Sequence, residues 1–188
     1  MRYLSISLPA FILAVAGTGC SISPTKQPAV HDFGVATPTS AAGSRLTAKP
    51  NITVEAPKWL WDNRIRYRLL YSSPTNVRFY TLDRWIAPPP ELFEQQLISS
   101  GKILNYPLNI QLLSFEQQFD APDRARVVMR FFVNAYAFGN RQESGTQVFL
   151  MERPTKTPDA AGAVSAFAEL TRQAADRIQD WLTALSTK

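Results

Sequence analysis

Cysteine and histidine occur once each among the 188 residues, glycine only eight times, and Asp, Glu, Lys and Arg together make up 19%. One cysteine closes no internal disulfide, and one cysteine with one histidine makes no zinc or iron–sulfur ligand set. No Gly-x-Ser-x-Gly elbow occurs, so serine nucleophile chemistry lacks its geometric marker. Beyond the N-terminus no apolar run approaches the roughly 20 residues that a membrane-crossing helix needs. What is present is apolar material: 45% of the chain is hydrophobic, enough for one compact domain and too little for two. Lys and Arg exceed Asp and Glu, 20 to 15, a mildly basic balance.

The remaining candidates for catalysis are weak. His31 stands beside Asp32 in a short early strand and reads as a partly exposed histidine. Ser99-Ser100-Gly101-Lys102 lacks the upstream glycine of a phosphate loop and reads as a helix stop followed by a turn. Glu91 with Glu94, and Asp120 with Asp123, stand where a helix start and a turn favour acids. The expectation is a protein with no cofactor, no metal and no enzymatic activity.

Arg2, an apolar stretch from Leu4 to Val15 and the small residues Ala16 to Gly19 make a secretory signal that ends at Cys20. The junction resembles a bacterial lipobox, with Gly17 in place of the usual aliphatic residue. Residues 1–19 would be removed and Cys20 acylated, leaving a net charge of +4; Ser21 rather than Asp favours the outer membrane. The other reading is an ordinary signal cut nearby that leaves Cys20 as a free thiol. Residues 20–28 read as the lipidated cysteine and a Ser/Pro tether, and residues 36–50 as a loop.

In the body, period-two patterns predict strands at 29–35, 51–56, 64–71, 77–82, 107–119, 124–138 and 143–152. Pro88-Pro89-Pro90-Glu91 predicts a helix to Ser100, closed by Gly101. Val164, Phe167, Thr171, Ala174, Ile178, Trp181 and Leu185 predict a long amphipathic C-terminal helix, with Asp159 as its cap. The expected fold is mixed α/β (α+β): a single domain with five or six mostly antiparallel strands and two helices. The stretch 58–85 interleaves Trp59, Trp61, Tyr67, Phe79 and Trp85 with Arg64, Arg66, Arg68, Arg78 and Arg84. Either the aromatics fill the core beneath solvated arginines, or the two together form a partner-binding surface. Trp59, Arg64, Arg66, Arg68 and Trp85 are the candidate contacts for the latter.

The order of Cys20, Pro57-Lys58-Trp59-Leu60, Ile65-Arg66-Tyr67-Arg68-Leu69, Arg84-Trp85, Pro88-Pro89-Pro90-Glu91-Leu92, Phe115-Glu116-Gln117-Gln118-Phe119-Asp120 and Ile178-Gln179-Asp180-Trp181-Leu182 resembles the ABC-type transport auxiliary lipoproteins, the PqiC-like family. The resemblance implies that residues 29–188 are an auxiliary domain similar to those of periplasmic assembly factors. It further implies an outer-membrane lipoprotein on the periplasmic face of a Gram-negative bacterium. Its partners would be the MCE-domain and ABC subunits of a system moving phospholipid or other hydrophobic molecules, with self-assembly left open and no nucleic acid involved. Only Cys20 carries a role over by position. The alternative function is a peptidoglycan- or polysaccharide-binding envelope lipoprotein.

Overall fold

The computed structural model describes residues 27–34, 51–102, 106–137 and 142–186. The signal segment, Cys20, most of the tether and the loop at 36–50 lie outside them. The elements are β1 (Ala29–His31), β2 (Ile52–Glu55), β3 (Arg64–Leu69), β4 (Ser73–Trp85), α1 (Pro89–Ser99), β5 (Leu108–Ala121), β6 (Arg124–Tyr136), β7 (Glu143–Pro154) and α2 (Ala160–Ser186). The strands form one mixed, mostly antiparallel sheet in the order β1-β4-β3-β5-β6-β7, with β2 also paired to β5 and no closure into a barrel. The class is as expected, but the described residues contain seven strands rather than five or six.

Three of the strand pairings are parallel. β2 lies along the start of β5, with Ile52 opposite Leu108, and β3 lies along its end, with Tyr67 opposite Gln117. Two short strands that precede β5 thus share one of its sides. β1 runs parallel to the last residues of β4, Asp83 to Trp85. Local periodicity identifies strands but not partners this distant, so these pairings are invisible in the sequence. β4 also starts earlier than expected and takes Pro74 into the strand. An edge strand tolerates a residue without an N–H, and β1 covers β4 only at its far end.

Both helices pack on one face of the sheet. Phe93 of α1 meets Phe131 edge-on at 5.2 Å, and Phe167 of α2 stacks on Phe115 at 3.8 Å. Alternation on β6 supplies the floor of this core, with Val127, Met129, Phe131, Val133 and Ala135 all buried. α1 begins at the expected proline run and ends at Gly101, whose φ of 64° closes the helix in the left-handed region. Glu94 accepts the Val54 N–H at 3.0 Å and so ties α1 to β2. The buried Gln117 accepts from the Tyr80 hydroxyl at 2.6 Å and donates to the Asp159 carbonyl, linking β5, β4 and the start of α2.

The cap on α2 also forms as expected: Asp159 Oδ1 accepts the Gly162 N–H at 2.8 Å and the Thr157 hydroxyl at 2.7 Å. The Gly162 bond, followed by that from Thr157, holds the carboxyl pKa below the ordinary aspartate value. A Cβ on Gly162 would lie 2.1 Å from the Thr157 carbonyl oxygen, so only glycine fits this first turn. Asp159→Ala is expected to cost about 1 kcal/mol at neutral pH, the usual loss on removing an N-cap. Because the folded pKa is depressed, wild type should hold this advantage above the unfolded pKa and lose it as pH falls through the folded one. Thermal unfolding of both proteins from pH 7 to pH 2 tests this; a gap that does not change with pH would refute it.

Candidate functional site

The face of the sheet away from the helices carries an open groove of about 540 Å³. Its construction starts at Pro57. A single 3-10 turn over Lys58–Leu60 follows, closed by the Leu60 N–H donating to the Pro57 carbonyl at 2.9 Å. Leu60 is buried and pins the turn, which leaves Trp59 at the groove wall with 65% of its surface exposed. The Trp61 indole N–H donates to the Ala56 carbonyl at 3.0 Å.

Strand alternation then brings Arg64, Arg66 and Arg68 to the same groove. Asp62 organises the first two. Its Oδ1 accepts the Arg64 backbone N–H at 3.0 Å, and its Oδ2 accepts Nη2 of Arg64 at 2.9 Å and of Arg66 at 2.7 Å. Burial raises the Asp62 pKa, but the hydrogen bonds from Arg64 and Arg66 together outweigh it and leave the carboxyl below its ordinary value. The Arg64 guanidinium lies 3.7 Å from the centroid of the Phe79 ring, a cation–π contact that fixes its plane. Arg68 donates through Nε to both oxygens of Glu116, at 2.8 and 2.9 Å, and through Nη1 to the Pro74 carbonyl.

The groove thus sets three arginines against two carboxylates. Arg66 is only 8% exposed, and all three guanidinium groups are oriented by a partner. Planar donors held in this way suit recognition of a carboxylate or phosphate, since little side-chain freedom is left to lose on binding. No cluster of three or more His, Cys, Asp or Glu residues able to hold a metal occurs among the described residues.

Four of the five candidate contacts, Trp59, Arg64, Arg66 and Arg68, come together here. Trp85 does not, and that reading needs correction: it is 1% exposed and sits edge-on among Phe33, Phe115 and Phe167, with no surface to offer a partner. His31 bonds Asp83 at 2.8 Å rather than its neighbour Asp32, fastening β1 to β4. The sequence reading missed Asp62 and Glu116 as the groups that set the arginines. Asp62 carried a local signal, an Asp two residues before a strand arginine; Glu116 is 48 positions from Arg68 and carried none. Cys20 lies outside the described residues.

No family model and no curated protein matches the chain. Among solved structures it is similar to the crystal structure of protein XCC0632 from Xanthomonas campestris, assigned to the family model DUF330. The two share 15% identity over 85% of this chain and 97% of that one, with a TM-score of 0.68. A crystal structure of an uncharacterized protein is similar at 13% identity over 83% of this chain and 99% of that one, with a TM-score of 0.59. Three arginines and a tryptophan therefore line a groove on a domain that has the fold of the DUF330 structure.

Proposed function

We propose that this protein is a non-catalytic auxiliary lipoprotein of the outer membrane, anchored through Cys20. Its groove docks a protein subunit of an MCE-type ABC system that carries phospholipid or another hydrophobic molecule between membranes. The energy for transport comes from other subunits. The observation that carries this reading is the groove itself, whose prearranged guanidinium groups and exposed tryptophan suit acidic side chains on a protein surface. Likeness of fold to the DUF330 structure and the ordered landmarks from Pro57 to Leu182 support it.

The test is co-purification of the transport subunits with the detergent-extracted protein. Trp59→Ala combined with Arg64→Ala removes two exposed groups and leaves the buried Arg66 in place. The yield of partner should fall about tenfold or more, the size expected when an interface loses a hot-spot residue. Unchanged yield from a normally folded variant would remove the groove as the docking site. A second reading, binding of cell-wall polysaccharide, draws on the exposure of Trp59 and Trp61 as stacking platforms. Pelleting with purified peptidoglycan, lost in the same variant, would favour it instead.

A further inference from the structure

The β1–β4 edge carries a second exposed surface, which adjoins the arginine groove where Arg84 pairs with Arg64. Val30 is 48% exposed, Leu82 39% and Ile86 64%. They are neighbours: Val30 stands opposite Arg84 in the parallel pairing, and the Ile86 N–H donates to the His31 carbonyl at 2.8 Å. Val30 and Ile86 also rim a shallow hollow that reaches Phe33, Val164 and Ala168. Arg84 is exposed and has no side-chain partner among the described residues. It is paired directly with Arg64 across β3 and β4, and like charges so placed repel unless an anion lies between or over them. The nearby acids are engaged: Asp83 holds His31, Asp32 accepts the Gly34 N–H, and Asp62 holds Arg64 and Arg66.

Apolar side chains beside an unpaired cation, where the end of β4 meets β1, the strand nearest the N-terminus among the described residues, fit one kind of neighbour. Ala29 follows Cys20 by nine positions, and nine residues span at most about 30 Å when fully extended. β1 therefore stays within that distance of the lipid that holds the chain. We propose that the β1–β4 edge is the face that lies against an anionic phospholipid surface. Val30, Leu82 and Ile86 meet the acyl boundary there, and Arg84 meets the headgroup phosphates. Such interfacial contact combines buried apolar area with electrostatic attraction. It also orients the domain, with the β1–β4 edge toward the lipid and β7 at the opposite edge of the sheet. The inference rests on acylation of Cys20.

The acyl thioether would consume the one native thiol, so a cysteine introduced elsewhere can be labelled alone. Ile86→Cys, labelled with a polarity-sensitive dye, is compared with Val148→Cys on β7, the opposite edge of the sheet and also exposed. The full acylated protein is bound to vesicles of phosphatidylethanolamine with phosphatidylglycerol. The dye at position 86 should blue-shift and brighten by about twofold or more over that at 148. The gain should shrink in phosphatidylcholine vesicles and on adding Arg84→Glu. Equal emission from the two positions on vesicle-bound protein would overturn the orientation and leave the anchor standing. If Cys20 itself takes the dye and the protein stays off the vesicles, the anchor fails and this inference with it. A response that Arg84→Glu does not alter would overturn the phosphate contact.

Discussion

Replacing Trp85 by alanine should lower stability by about 3–5 kcal/mol, the cost of emptying a large aromatic site in a packed core. In a chain of this length each kcal/mol moves the melting temperature by roughly 2–4 °C, so a fall on the order of 10 °C is expected. The position is severe because Trp85 contacts Phe33 from the turn after β1, Phe115 from β5 and Phe167 from α2. Removing it separates three elements from the same centre. Trp85→Phe, which keeps an aromatic ring there, should recover most of the loss. A melting temperature within a few degrees of wild type for the alanine variant would contradict the assignment of Trp85 to the core.

Cys20→Ser should abolish recovery of the protein in the outer-membrane fraction. Several acyl chains, each methylene worth about 0.8 kcal/mol on burial, anchor far more firmly than the interfacial contact of a folded domain. Intact mass is the decisive readout: wild type should carry the mass of the glyceride and its chains and begin at residue 20, and the variant should carry neither. Retention of the variant in that fraction at full yield would refute anchoring through this residue. The reading of the protein as a membrane-held auxiliary would then fall as well.

Much of the fold was legible because its strands obey period two. On β6 every odd-numbered residue from Ala125 to Ala135 is buried, with Val128 the one buried residue out of phase, and α2 follows its apolar stripe. β5 obeys it with one slip. Ile110 and Leu112 face the core, the register shifts between Leu112 and Ser114, and from Phe115 onward the odd-numbered residues face inward. The three groove arginines were placed on one face by the same alternation. Trp85 defeated it for a definite reason. Arg64 pairs with Arg84 and Arg66 with Phe79, so five positions on β4 pass against two on β3. Counting faces from Phe79 to Trp85 therefore fails across the irregularity. Glu116 escaped because no local pattern names a partner on another strand.

The position of β5 in the sheet has a consequence for the order in which the chain can fold. Its parallel pairings and that of β1 join residues fifty or more positions apart: Ile52 with Leu108, Tyr67 with Gln117, and Ala29 with Asp83. Contacts this distant form late, since the closure entropy of the intervening chain must be met first. The β5–β6–β7 meander is by contrast local and antiparallel, and its strand pairing closes only short loops. If the chain is exported, as the proposed function requires, β2 and β3 emerge before the strand they must join. The parallel pairings of β2 and β3 would then wait until β5 has been delivered, so that completion of the sheet would be deferred by topology.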